Sequence, residues 1–262
     1  MSTCGEILSN TNLKNDYFAV EFHAPGIAAS ARPGQFVHVR IDDSRNDWIL
    51  RRPFSICDAD PARGTVTVVY KIVGKGTAAL SRLTQGDRCD VMGPLGNFFA
   101  PPDDAAPVAV CGGYGAAATF MLTRSPRKGI LLLGARSEAD VILTKKYERA
   151  GFEVRVATND GSAGVRGFVT DLIPPLLAQR PQEKFCFCAC GPHPMLMALA
   201  KLLRDLGQEG QLSIDHRMCC GVGSCFACVV KVNDPSNPDG WRYARSCSEG
   251  PVFNLKDVYI GE

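Results

Sequence analysis

Four cysteines in the last fifth of the chain have a spacing that can hold a redox centre. In Cys219–Cys228, C-C-G-V-G-S-C-F-A-C, residues Cys220, Cys225 and Cys228 form C-x4-C-x2-C, and Cys247 follows after eighteen intervening residues. Three thiolates on one tight loop and a fourth arriving from outside it is the ligand spacing of a 2Fe–2S cluster. Gly221 and Gly223 allow the backbone to curl around such a group with positive φ, and amides of the loop can then point at the sulfurs. The rival account, a loop of buried structural cysteines, leaves the spacing unexplained.

A one-electron centre needs other elements to position it and feed it. At 262 residues the chain has room for two or three domains, and with 45% apolar residues each can bury a core. A net charge of +2 argues against nucleic acid or an anionic membrane as partner. No apolar run reaches the roughly eighteen residues of a membrane-spanning helix. The start, M-S-T-C-G-E-I-L, has neither the basic nor the apolar region of a signal peptide. Twelve cysteines in such a chain read as free thiols plus a cluster in a reducing, cytoplasmic setting.

In the first hundred residues short alternating runs, such as Tyr17–Phe22, Gln35–Arg40 and Thr65–Tyr70, are separated by turn signals such as Ala24-Pro25-Gly26 and Arg32-Pro33-Gly34. This predicts a small antiparallel barrel. Three motifs lie on it: R-R-P-F-S-I (51–56), Y-K-I-V-G-K-G-T (70–77) and G-P-L-G-N-F-F (93–99). Arg52 offers a cationic fork for a pyrophosphate. Pro53 and Phe54 set an extended backbone that can lie along a flat ring, with Ser55 near its polar edge. Gly76 and Thr77 supply amides and a hydroxyl for phosphate at a helix start, and Val69, Tyr70 and Lys71 lead into them. An Arg-Pro pair alone is usually a turn with a surface charge; the order and separation of these motifs say more. Together they resemble the flavin-binding barrel of the ferredoxin–NADP reductase-like proteins, and the resemblance implies FAD.

From about residue 105 the pattern changes to apolar strands alternating with helices. Strands are expected at Ala106–Cys111, Gly129–Arg136, Phe152–Ala157 and Phe185–Cys190, and helices near Thr119–Thr123, Val141–Ala150, Gly167–Ala178 and Pro194–Leu206. This predicts a doubly wound parallel sheet, whose ligands bind at the carboxyl ends of the strands. Gly112, Gly113 and Gly115 form a loop there that can admit the pyrophosphate of NAD(H). Cys190, Gly191 and Pro192 end the last strand in a sharp turn; in the reductase family the matching Cys faces nicotinamide and flavin, which makes Cys190 the candidate closest to the hydride path. Cys186 and Cys188 are read as core. The family usually has G-G-G-x-G-x-x-P at the glycine loop, whereas this chain has C-G-G-Y-G-A-A-A, with Cys111 for the first glycine and alanine for the proline. Arg136, after the second strand, is a candidate for a 2′-phosphate, so NADH and NADPH both stay open.

Toward the C-terminus a strand is expected at Phe226–Val232, then a polar loop and a return through Trp241–Cys247. Here a sharper resemblance appears, carried in order by R-R-P-F-S-I, Y-K-I-V-G-K-G-T, D-V-M-G-P-L-G-N-F-F, T-N-D-G-S-A-G-V-R-G-F-V-T-D, C-A-C-G-P-H-P-M-L, S-I-D-H-R-M-C-C-G-V-G-S-C-F-A-C-V and C-S-E-G-P-V-F. The chain is similar to the electron-transfer subunits of class 1B dihydroorotate dehydrogenases. That resemblance implies a multidomain protein: an FAD-binding antiparallel β-barrel (1–103), an NAD-binding α/β domain (104–211) and a small 2Fe–2S domain (212–262). It implies electron flow between NAD(H) and an FMN-containing catalytic subunit in a heterotetramer, in pyrimidine biosynthesis, with the substrate bound by the partner. Two other readings stay open: the same reductase chemistry serving a different flavoprotein, and a relay that no longer binds NAD. The family pattern makes Cys220 the first ligand and leaves Cys219 as a non-ligand packed beneath the loop. His216 is rejected as a Rieske-type ligand because no C-x-H pair accompanies it. The visible absorption of the cluster is expected to be lost or perturbed in Cys220→Ser and retained in Cys219→Ala.

Overall fold

The structure is a computed structural model that describes residues 2–41, 49–215 and 217–261. His216 lies outside the described residues. Six strands close an antiparallel barrel: β1 (Ser2–Lys14), β2 (Tyr17–His23), β3 (Phe36–Arg40), β4 (Arg52–Asp60), β5 (Thr65–Lys71) and β6 (Arg88–Leu95), in the order β1-β2-β5-β4-β3-β6. The alternation expected of half-buried strands is visible in β4, where Phe54 and Ile56 enter the barrel core and Pro53 and Ser55 face outward. A one-turn helix, α1 (Pro25–Ala28), and the short α2 (Lys75–Leu80) pack Ile27, Ala28, Ala79 and Leu80 into the barrel core.

The second unit is a seven-stranded sheet. Its strands are β7 (Ala106–Gly112), β8 (Ile130–Ala135), β9 (Glu153–Thr158), β10 (Val165–Arg166), β11 (Phe185–Cys190) and β12 (Gly210–Ser213), and a last strand from the C-terminal segment completes it. The helices are α3 (Gly115–Thr119), α4 (Thr144–Arg149), α5 (Ile173–Gln179) and α6 (His193–Asp205). The strands fall within a residue of their expected places, because continuous apolar runs such as Ile130–Leu133 can only be buried on both faces. The helices are less regular than the sequence suggests. Only Ile173–Gln179 of the expected 167–178 helix is α-helical, after a 3-10 turn at Val169–Leu172. Pro174 and Pro175 belong in a first helical turn, where no N–H is needed, and they set the start there. The expected 119–123 helix is likewise α3 followed by a 3-10 turn at Phe120–Arg124.

The C-terminal segment contributes a hairpin, β13 (Val229–Asn233) with β14 (Trp241–Arg245), and then β15 (Val252–Asn254). β13 begins three residues later than expected, because Phe226 takes a left-handed φ of 57° and Cys228 stays with the cluster loop. β15 lies antiparallel to β12 at the edge of the parallel sheet, a pairing the sequence pattern does not announce.

Side-chain amides weld the units together. The Asn97 side chain donates to the carbonyls of Glu249 (2.9 Å) and Val252 (2.7 Å) and accepts from the Val252 amide (2.9 Å), while the Asn97 backbone amide bonds the Gly250 carbonyl at 2.7 Å. Gly96 lies so close that a Cβ there would come within 2.5 Å of Pro251 Cδ. Across the barrel–sheet boundary Asp58 pairs with Arg124 (2.6 Å) and Lys146 (3.0 Å). Asp140 accepts from Tyr17 and Lys71, both at 2.7 Å. Replacing Asn97 with Ala leaves three part-buried main-chain groups unpaired. It is expected to lower unfolding stability by about 2 kcal/mol, read as a shift of the urea midpoint.

Candidate functional site

The first two barrel motifs meet at one place. A Cβ on Gly76 would lie 2.5 Å from Arg52 Nε, so the start of α2 and the Arg52 guanidinium stand side by side. The Thr77 hydroxyl is already engaged. It accepts from the Val73 and Gly74 amides (2.9 and 3.2 Å) and donates to the Gly74 carbonyl (3.0 Å), which closes the loop that presents Gly76. Phe54 and Tyr70 point into the barrel core, 5.7 Å apart, and Tyr70 donates to Asn10. They therefore have only main-chain atoms to offer a flavin, and Pro53 and Ser55 are the outward side chains. Val69 packs toward the sheet with Tyr17 and Phe99, and Lys71 is held by Asp140.

The two expected dinucleotide elements also converge. β7 and β11 are parallel neighbours, with Cys111 opposite Cys190, so both loops leave the same end of the sheet. A Cβ on Gly112 would be 2.6 Å from Pro192 Cδ, and one on Gly115 would overlap the Cys190 carbonyl. The glycines at 112 and 115 are thus required by the turn at Cys190–Pro192, whatever ligand binds there. Cys111 is no obstacle to the loop. Its thiol is fully buried below it, 3.0 Å from the Thr119 hydroxyl, which lies 2.8 Å from the Tyr147 hydroxyl. Burial, the charge of Asp215 and the neighbouring Cys111 push the Cys190 thiol well above the ordinary range, against a bond with Ser213, so it stays protonated. Tyr17, raised to about 12 by burial and by Asp140, is likewise neutral.

The cluster loop packs on the flavin barrel. Met218, Cys228 and Cys247 form a small core with Phe36 of β3 and with Leu95. Gly221 and Gly223 have φ of 73° and 82°, as a tight loop demands. Among the described residues no three His, Cys, Asp or Glu side chains close on a single ion position. The thiols pair instead, Cys220 with Cys225 and Cys228 with Cys247, as two irons with two protein ligands each require. The Val222 amide points at Cys220 Sγ (3.5 Å) and the Gly223 amide at Cys247 Sγ (3.2 Å). Burial opposes the Cys220 thiolate, but amides of Val222, Cys225 and Ser224 and the Cys225 thiol outweigh it and lower its pKa. Glu249 braces the loop from below: it accepts from the Arg245 amide and Nε (both 2.9 Å) and from Arg242 (2.8 Å), and Arg245 reaches the Gly223 carbonyl. Burial pushes its carboxyl up, but these donors hold it near 2.

Buried side-chain polar atoms without a hydrogen-bond partner, among the described residues, are both ring nitrogens of His38 and the hydroxyl of Ser246. Both flank the cluster loop, so the donor set and the orphaned atoms fit a 2Fe–2S group. Cys219 departs from expectation: it is exposed rather than packed beneath the loop, because its side chain turns away from the Phe36–Met218 core.

Comparison with known proteins agrees with this arrangement. Residues 5–99 match the profile of the oxidoreductase FAD-binding domain, and residues 215–259 match that of the iron–sulfur cluster binding domain of dihydroorotate dehydrogenase B. The chain is 35% identical to the electron transfer subunit of dihydroorotate dehydrogenase B (NAD(+)) of Fusobacterium nucleatum over 96% of each chain. The chain belongs to this family of electron transfer subunits. With the Geobacillus kaustophilus member it shares 42% identity over 87% of each chain. Among solved structures, a chain of the NADH-dependent reduced ferredoxin-NADP oxidoreductase superposes with a TM-score of 0.84 at 29% identity, covering 98% of this chain and 90% of its own. FAD and a 2Fe–2S cluster are accordingly cofactors of this family member.

His38 and Asp140 carry parts of the site that no motif marks, and Asn97 and Glu249 lie in motifs that do not announce which groups they bond. Gly115→Ala is expected to force the glycine loop off the Cys190 turn. Flavin content should survive, while the rate of flavin bleaching by reduced dinucleotide falls at least about tenfold, for an overlap that even ~1.4 kcal/mol of strain would produce.

Proposed function

We propose that this protein moves electrons between NAD(H) and an FMN-containing dihydroorotate dehydrogenase catalytic subunit, the two chains forming a heterotetramer. The observation that carries the reading is the seating of the four-thiol loop on β3 of the flavin barrel, next to the strand that bears Arg52–Ser55. FAD takes two electrons together and can release them singly, and a 2Fe–2S cluster carries one. The chain's residues supply position rather than acid–base chemistry. Arg52 and the Gly76 amide hold the pyrophosphate of the flavin, and Pro53 and Ser55 line its ring. Gly112, Gly113 and Gly115, with Gly191 and Pro192, give the dinucleotide close backbone contact. Cys190, kept protonated by burial, offers an uncharged thiol beside the hydride path and does not add to the nicotinamide ring as a thiolate. Cys220, Cys225, Cys228 and Cys247 hold the cluster at the exit, and exposed Val222 and Phe226 form its rim toward the partner.

A second reading keeps this chemistry and changes the partner; the superposition on the NADH-dependent reduced ferredoxin-NADP oxidoreductase favours it. A relay without NAD is disfavoured by the relatives, which are electron transfer subunits of dihydroorotate dehydrogenase B (NAD(+)). Among the described residues no helix is long and apolar enough to cross a membrane.

Anaerobic mixing with NADH is expected to bleach the flavin and then the cluster, and NADPH to do so more slowly. A flavin reduced by dithionite but not by NADH would leave only the relay. Addition of a dihydroorotate dehydrogenase catalytic subunit and dihydroorotate should then yield NADH from NAD; failure of that step alone, with bleaching intact, points to the other partner.

A further inference from the structure

His38 lies in the middle of β3, fully buried, in register with Pro53 of the flavin strand on one side and Met92 of β6 on the other. Its ring stands edge-on to Phe36, with centroids 6.4 Å apart at 83°, and Phe36 packs in the same small core as Cys228 and Cys247. The other side of the imidazole presses against the cluster loop: a Cβ on Gly221 would sit 2.5 Å from Nδ1, 3.1 Å from Cε1 and 3.2 Å from Cγ. Glycine is needed at 221 both for its φ of 73° and for this approach. The Cys220 carbonyl is close enough to favour an N–H on the ring, yet neither nitrogen makes a hydrogen bond of normal geometry.

Among the described residues this fully buried imidazole has no hydrogen bond of normal geometry, a costly state in which buried polar side chains are rarely left. Nothing in the hydride path or the flavin site uses this one. It faces the segment whose amides already aim at Cys220 and Cys247, and such donors stabilise the charge a cluster gains on reduction.

We infer that His38 is a positioning residue for the iron–sulfur centre: its ring N–H is directed from the flavin barrel at the Cys220–Gly221 turn and the sulfur held there, and it raises the cluster's reduction potential. The same side chain sets the seat of the loop on β3, so one residue couples where the cluster sits to how readily it accepts an electron. The inference rests on the cluster assignment and is independent of which partner or pyridine nucleotide the protein uses.

The test compares holoprotein of wild type, His38→Leu and His38→Gln by EPR-monitored redox titration, with iron and sulfide content measured on each. In His38→Leu the cluster is expected to load but be harder to reduce. At the wild-type midpoint its reduced-to-oxidised ratio should fall about tenfold, the loss of one hydrogen bond to a charged acceptor, which is ~59 mV for one electron. His38→Gln keeps an N–H donor and should recover most of that shift. A His38→Leu cluster that loads and titrates at the wild-type potential overturns the inference, as does a His38→Gln that behaves like His38→Leu. If neither variant retains a cluster, pulsed EPR of reduced protein labelled with nitrogen-15 histidine decides, in a His216→Gln background that removes the other histidine of the cluster segment. A coupled ring nitrogen supports His38 as donor, and its absence overturns it.

Discussion

Two-electron and one-electron centres can work in series only if the chain holds them close together and keeps them there. In this protein that constraint falls on the Gly96-Asn97 corner of the barrel and the Gly250–Val252 segment. Four hydrogen bonds of Asn97 and the near-contact of Gly96 with Pro251 join them. The segment that follows Cys247 is thereby tied to the flavin barrel and, through β15, to the edge of the parallel sheet. Barrel, sheet and C-terminal segment behave as one scaffold because this stretch of chain joins them and because their hydrophobic cores are shared, Val230 and Ala244 packing with the sheet and Tyr17 and Val69 against it. The core of Met218, Cys228, Cys247 and Phe36 then has a fixed floor to form on.

The dinucleotide end obeys a different physical rule. Parallel neighbours β7 and β11 release their loops side by side, and two loops can share that space only if one of them lacks side chains. Gly112 and Gly115 meet that requirement against Cys190–Pro192. The unusual Cys111 causes no conflict, because the period of a strand sends its side chain into the core between sheet and barrel, where Thr119 and Tyr147 take it into a buried hydrogen-bond chain. The departure from the family's glycine loop is thus a change in the core beneath the loop.

Electrostatics sorts the cysteines into two kinds. Cys111 and Cys190 in the sheet are held protonated, chiefly by burial. Cys220 sits where several backbone amides converge and is drawn toward thiolate. Glu249, Arg245 and Arg242 hold the loop in that shape from behind, as a charge-assisted brace whose carboxylate remains ionised far into acid.

Much of this was legible in the chain itself. The C-x4-C-x2-C…C spacing, the period-two runs of the barrel and the continuous apolar strands each report a local rule, and a local rule needs no knowledge of distant residues. So the cysteine spacing that suggests a cluster, the fold class and the places of most strands could be read from the chain. The helix limits around Pro174-Pro175 and the late start of β13 were less legible, since a 3-10 turn and a left-handed Phe226 satisfy the same composition as a helix or a strand. Beyond reach altogether were the exposure of Cys219, the inward turn of Phe54 and Tyr70, the capture of Lys71 by Asp140, and the burial of His38 beneath Gly221. Each depends on which segments meet in space. Sequence spacing determined which chemistry this protein carries. Only the tertiary packing decided which side chains stand next to it, because contacts across tens to hundreds of residues are set by how sheets, loops and cores close on one another.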